Sequence, residues 1–345
     1  MRLMYWILFC ISLNWTSQNL HGEDKTETKT EESCNISDTK EEDAKKSSSE
    51  DNKNTDSDEK KDKEKTKNED KDKDKDKEKE KEEPPKIGNF KLRVSQLPAP
   101  LFSFGQNIIE KGQIQLFLFG DAFLGKEKTI SDLIPGILFG VTDDFTLFFN
   151  FPVTPAMRDG PDHSSGIEDC FLQTEYAFYN HSTKDYVDQA TVVFSIYVPT
   201  GSARRSPPTG FGAPAFFIGA TYNHMLVDWF VFVSPGALLT TSYHHTQFGN
   251  QFLYEFGFGR NIPSPKDWIY AWMIEFEGQY NQKNIIKGAV DPNSGGNFIF
   301  INPSIFISNN DWMFQFGAGF PVLQNYFGQQ RKFDYMLDFQ IVRTY

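Results

Sequence analysis

The chain has 345 residues, 34 phenylalanines, three cysteines and a formal net charge of −12, and its composition changes abruptly along its length. No basic block exists to displace counterions from a nucleic acid. The cysteines, Cys10, Cys34 and Cys170, make no disulfide framework or metal-type cluster, so no cofactor and no metal is expected.

Residues 1–22 read as a signal peptide. Arg2 gives the positive end and Met4–Leu13 the apolar run, which is too short to span a bilayer. Residues 23–86 are nearly all Lys, Glu, Asp, Ser, Thr and Asn, ending in the alternating charges of Asp70–Glu83. So little apolar surface cannot offset ordering entropy, and a disordered charged segment is expected. Pro84 and Pro85 close it, and 87–111 is taken as a linker or entry segment. Glycosylation-type triplets at Asn14, Asn35 and Asn180 carry little information.

From about 112 to the end, about twelve segments of roughly ten residues alternate apolar and polar side chains, the length a tilted strand needs to cross a bilayer. The clearest is Trp268–Tyr280, where Trp268, Tyr270, Trp272, Ile274, Phe276 and Tyr280 share one face and Glu275, Glu277 and Gln279 the other. In 145–154 the apolar face is Phe145, Leu147, Phe149, Phe151 and Val153. In the last segment Tyr335, Leu337, Phe339 and Ile341 oppose Asp334, Asp338 and Gln340.

Connections alternate as well. Short ones are expected at 142–144, 225, 264–267, 309–311 and 180–188, and longer ones near 123–131, 155–166, 200–211, 241–250, 282–296 and 322–333. Short–long alternation with an even strand count is the pattern of a transmembrane up-and-down antiparallel β-barrel, all-β, of about 12 strands, spanning 112–345 and preceded by the disordered charged tail. A secreted sandwich would need a second sheet to cover so many aromatic rows. Both termini fall at the short-turn end, which puts the tail in the periplasm of a bacterial outer membrane. The terminal Tyr345 reads as the signal recognised by the barrel-assembly machinery, although Arg343 departs from the usual apolar alternation.

Several stretches carry a resemblance. Leu133–Pro152 looks like a strand, a Gly140-Val-Thr-Asp143 turn and a strand; Gly166-Ile-Glu-Asp169 leads into Gln173–Phe178; Val198-Pro-Thr-Gly201 precedes a Gly/Pro-rich loop. In this order they resemble the outer-membrane proteins named for the meta-pathway of phenol degradation, often described as transporters, over roughly 108–345. The resemblance implies uptake of aromatic compounds and implies no particular functional residue.

Asp121, Asp169, Glu175, Glu255, Glu275, Glu277 and Asp338 are expected to line the lumen, where carboxylates favour cations or neutral solutes. The alternative is that Lys and Arg side chains from the loops pair with them and fill the interior. Phe117, Phe119 and Phe148 would make the lumen amphipathic. His163 and Ser165 have the spacing of an outer-membrane phospholipase pair, but Asp162 is adjacent in sequence, an arrangement that rarely gives triad geometry, and no catalytic residue is assigned. The leading reading is an outer-membrane channel or transporter for small apolar or aromatic solutes, partnered by outer-membrane lipid, the assembly machinery and its solute. The alternatives are a non-conducting structural or surface barrel with a partner-binding tail and, third, an outer-membrane hydrolase.

Overall fold

The computed structural model of the protein describes residues 83–345, so the signal-peptide reading and all but the end of the charged segment lie outside the described residues. The strands, in chain order, are β1 Ile114–Leu124, β2 Lys128–Thr142, β3 Phe145–Asn150, β4 Val153–Asp159, β5 Asp162–Ile167, β6 Cys170–Ser182, β7 Tyr186–Val198, β8 Ala215–Leu226, β9 Trp229–Thr240, β10 Gln251–Ile262, β11 Ile269–Asn281, β14 Gly296–Ser308, β15 Trp312–Tyr326 and β16 Tyr335–Thr344, with a small hairpin of β12 Ile285–Ile286 and β13 Ala289–Val290 before β14.

Each strand is antiparallel to its neighbours, and β1 pairs with both β2 and β16, which closes the sheet. Along the wall β3 and β4 form one interrupted strand, as do β5 and β6. Across the break the register runs Asn150↔Phe171, then Val153↔Ile167. Counted this way the barrel has twelve strands, the architecture expected from alternation. Pro152 sits at the break, where its missing N–H costs no ladder bond.

The faces follow the pleat. Phe149, Phe178, Phe256, Ile305, Phe316 and Leu337 point outward and are exposed, while Leu138, Val193, Ala271, Phe306 and Val342 point inward and are buried. A soluble domain buries its large apolar side chains; an apolar outer band is what a closed barrel presents to hydrocarbon. Closure also leaves no edge strand, so the backbone groups are paired within the wall.

Two expected long connections are strand instead. Residues 125–127 make a tight turn between β1 and β2, and β4–β5 is a two-residue hairpin turn at Gly160–Pro161. Gly160 has φ +63°, a conformation that glycine adopts without a steric cost. The polar Lys128, Ser131, Arg158 and Asp159 in these arms hide the strand signal, because this part of the hairpins lies beyond the apolar band.

Candidate functional site: an occupied lumen

Residues 87–113 do not leave the barrel. They cross the short-turn mouth, run up inside the lumen, turn and come back down to begin β1. At the mouth Asn89 N–H donates to Val227 O (2.7 Å), in the β8–β9 turn, and Lys91 Nζ to Ser264 Oγ (3.0 Å), in the β10–β11 turn. Farther in, Ser308 Oγ donates to Gln96 O (2.8 Å) and Gln315 Nε2 to Ala99 O (2.9 Å). The chain reverses at Gly105 and Gln106, both with positive φ (83° and 61°). It exits beside the β2–β3 turn, where Lys111 N–H donates to Asp143 Oδ1 (2.9 Å).

Two interior glutamates grip the tip of this plug. Glu275, on β11, accepts the backbone N–H of Leu101 (Oε1, 2.6 Å) and of Phe102 (Oε2, 3.0 Å). Glu175, on β6, accepts those of Gln106 (Oε1, 2.6 Å) and Asn107 (Oε2, 3.1 Å). Each carboxyl group thus satisfies two successive backbone donors that a non-helical, buried chain would otherwise leave orphaned. Between them the Phe104 ring lies over Gly219 and Gly236, cross-strand partners on β8 and β9. A Cβ on either glycine would stand 2.4 and 2.7 Å from that ring, so only the bare backbone admits it.

The other expected lumen acids also face inward. Glu255 lies directly across from Glu277, and Asp121 from both Asp338 and Asp132. Asn302 Nδ2 donates to Glu277 Oε1 (3.0 Å) and to Asp338 Oδ2 (2.5 Å). Like charges directly opposed in a ladder are destabilising, so this half-belt of acids is not explained by stability. Among the described residues no Lys or Arg forms an ion pair with any of the seven candidates; backbone donors and Asn302 meet several of them instead. Among the described residues, plug amides and Asn302 stand where the alternative expected loop cations.

Asp169 has a different task. It accepts the N–H groups of Gly201 (2.8 Å) and Phe211 (2.7 Å), while Thr200 Oγ1 donates to Glu168 O (2.6 Å). The Gly166–Asp169 and Val198–Gly201 stretches, separate in sequence, thus meet at one point and pin the 199–214 loop to the wall. Sequence reasoning missed Asp132, Glu168 and Asn302; Thr154 Oγ1 donates to Glu168 Oε1 (2.7 Å). It also missed the plug, although Leu97, Leu101, Phe102, Phe104, Ile108 and Ile109 around Pro98 and Pro100 are too apolar for a solvated linker.

His163 and Ser165 are exposed on β5, and Asp162 accepts a hydrogen bond from Ser206 Oγ (3.1 Å). Tyr345, also exposed, exchanges backbone hydrogen bonds with Ile114 at the β1–β16 seam (2.9 and 3.4 Å).

Several cavities lie along the interior. A vestibule of about 530 Å³ opens among the long loops, lined by Asp159, Phe211, Phe248 and Arg331. A space of about 160 Å³ lies between the plug tip and Phe117, Phe119, Phe148 and Phe171. A third, of about 380 Å³, sits between the plug and the wall at the short-turn end.

No family model and no curated protein matches this chain. Among solved structures it is similar to an outer membrane channel from Pseudomonas putida F1, with TM-score 0.60 at 14% identity over 72% of this chain and 100% of that one. More loosely, it is similar to LpxR from Salmonella typhimurium (TM-score 0.39, 10% identity, 67% of this chain and 99% of that one). The translocator domain of the autotransporter NalP from Neisseria meningitidis is comparably distant (TM-score 0.37, 10% identity, 69% and 89%). The first of these likenesses is one of fold: a closed antiparallel barrel.

Proposed function

We propose that this protein is a bacterial outer-membrane channel for small apolar or aromatic solutes, closed at rest by its own plug. The observation that carries the reading is the cavity beneath the plug tip. Its wall is Phe117, Phe119, Phe148 and Phe171, interrupted by Asn150, Gln173 and Gln340, inside a barrel whose outer face is apolar. Aromatic walls with a few polar groups suit a small ring-bearing solute, in keeping with the resemblance to the phenol meta-pathway proteins. The channel activity named for the Pseudomonas putida structure supports the same reading. The acids Glu255, Glu275, Glu277, Asp121 and Asp338 set a preference for cations or neutral molecules. In this orientation the short-turn end and the preceding charged segment face the periplasm, and Tyr345 at the seam serves as the assembly signal.

The test is conductance in planar bilayers, comparing the full chain with a variant in which residues 97–109 are replaced by a Gly/Ser linker of equal length. Rare, brief openings are expected from the first and steady steps, several-fold larger in mean current, from the second. A plugless barrel that folds and stays silent would sink the proposal. The second reading, a non-conducting barrel with a partner-binding tail, draws on the paired glutamate grips that hold the plug at two opposite walls, and it predicts that silent outcome.

A further inference from the structure

The vestibule at the long-loop mouth is built from five separate segments: the β4–β5 turn, the 199–214 loop, residues 248–251, residues 281–295 and residues 330–331. Its charged side chains already have partners. Arg331, its one cationic side chain among the described residues, donates to Glu127 Oε2 (3.0 Å) and to Asp159 Oδ1 (2.8 Å). Asp162 Oδ2 accepts from Ser206 Oγ (3.1 Å), and Asp291 Oδ1 from the Asn293 N–H (2.9 Å). What remains is carboxamide. Asn284 is fixed at three points: its N–H donates to Ser294 Oγ (2.8 Å), its carbonyl accepts from the Asp291 N–H (2.9 Å) and its Oδ1 from the Gly249 N–H (2.8 Å). Asn293 Oδ1 accepts from the Gln329 N–H (2.9 Å), and Gln330 Nε2 donates to the carbonyls of Gly295 and Phe327 (both 2.7 Å). In each amide one end is held by backbone, while the other makes no hydrogen bond among the described residues: the NH2 groups of Asn284 and Asn293, and Gln330 Oε1. Three amides are thus oriented before any ligand arrives, which lowers the cost of binding one. Phe211 and Phe248 close one side, with ring centroids 6.0 Å apart.

We propose that this vestibule is a binding site for a neutral saccharide. At about 530 Å³ it falls in the range of small-molecule pockets. A sugar ring carries hydroxyls that both donate and accept around its edge, and C–H groups on its faces. The Asn284 and Asn293 NH2 groups would donate to hydroxyl oxygens, and Gln330 Oε1, Asp162 Oδ1 and Asp291 Oδ2 would accept from hydroxyl protons. A C–H face would rest on Phe211 or Phe248. Other classes fit less well. An anion needs a free cation, and Arg331 is held by two carboxylates. An extended peptide needs a sheet edge, and the closed barrel offers none. A flat ring is gripped between parallel planes, whereas the two phenylalanines stand at 64°. The site goes beyond the solute reading given above and does not depend on it, because binding at the mouth needs no passage through the barrel. The same sugars arrive as free oligosaccharide or as the head of an outer-leaflet glycolipid, since the proposed orientation turns this mouth outward.

The test uses the full chain in lipid nanodiscs free of glycolipid, titrated separately with maltotriose, mannotriose and globotriose, and with spermidine as a cationic control. Saturable binding of at least one trisaccharide, one per chain, is expected, with spermidine at least tenfold weaker. Phe248→Ala should weaken that trisaccharide at least tenfold. Asn284→Asp combined with Asn293→Asp keeps both oxygens that hold the loops and replaces the two NH2 donors, and it should weaken the sugar at least fivefold. Heat-modifiable migration verifies that both variants remain barrels. Lipopolysaccharide added to the discs separates the two sources: a titration shifted to higher sugar assigns the lipid-borne saccharide, and an unchanged one the free oligosaccharide. Binding of none of the three sugars, spermidine bound more tightly than sugar, or an unchanged titration in both variants would overturn the site. A barrel that never conducts would fail the channel reading and leave this binding intact.

Discussion

At the scale of single residues, the plug is held by few side chains, and these make it testable. Glu275→Gln keeps the shape but offers one acceptor oxygen where two backbone N–H groups wait. An orphaned buried donor costs about 1–3 kcal/mol, and 1.4 kcal/mol is about tenfold in an equilibrium. The open fraction in bilayers should therefore rise about tenfold or more, and protease should cut the 97–109 segment faster. Gly236→Val should act through sterics instead, because its Cβ would meet the Phe217 ring at 2.6 Å and the Phe104 ring at 2.7 Å. The same increase in opening is expected there, and Phe104→Ala should relieve only the plug side of the clash, leaving the contact with Phe217. Arg343, which breaks the apolar alternation near the end, also has an account at this scale. It pairs with Asp311 Oδ2 (3.3 Å) and lies over the rings of Trp312 and Tyr345 (4.9 and 5.4 Å), at the short-turn rim where aromatic and basic side chains meet the interface.

The element scale is where the sequence is most legible. Period-two alternation located the strands because one face must meet hydrocarbon, so a slip of one residue would invert every side chain. It also placed Glu255, Glu275, Glu277 and Asp338 inward before any coordinates were needed. What alternation misses has a physical cause in each case. The arms around 128–131 and 155–166 stand beyond the apolar band and lose their contrast. The plug is buried on all sides by barrel wall, so it has no two-faced pattern to display. Its partners, Glu175 and Glu275, looked like lining residues because a strand sequence does not record what lies across the lumen. The two faces also make a paired prediction. Phe316→Arg, on the exposed outer face of β15, should cost about 2–4 kcal/mol if the residue lies near the bilayer midplane, falling toward zero at the interfaces. The measurement is the urea midpoint of the barrel folded into vesicles. Gln315→Leu, one residue away and inward, should leave the barrel folded and instead release Ala99, since it removes the Gln315 Nε2 donor.

For the whole molecule, the interior acids and the closed wall combine. With the plug removed, reversal potentials in a salt gradient should show cation preference, and replacing Glu255, Glu277 and Asp338 together by their amides should abolish most of it. A plugless barrel that favours anions would refute that role. The direct continuity of the plug with β1 carries a further consequence. A segment tethered a few residues from its own berth never diffuses away, so its return is an intramolecular step at an effective concentration in the millimolar range, whatever the amount of protein in the membrane. Closure is thus insensitive to dilution, and the same sequence added as a free peptide must be supplied at roughly that concentration to silence a plugless barrel.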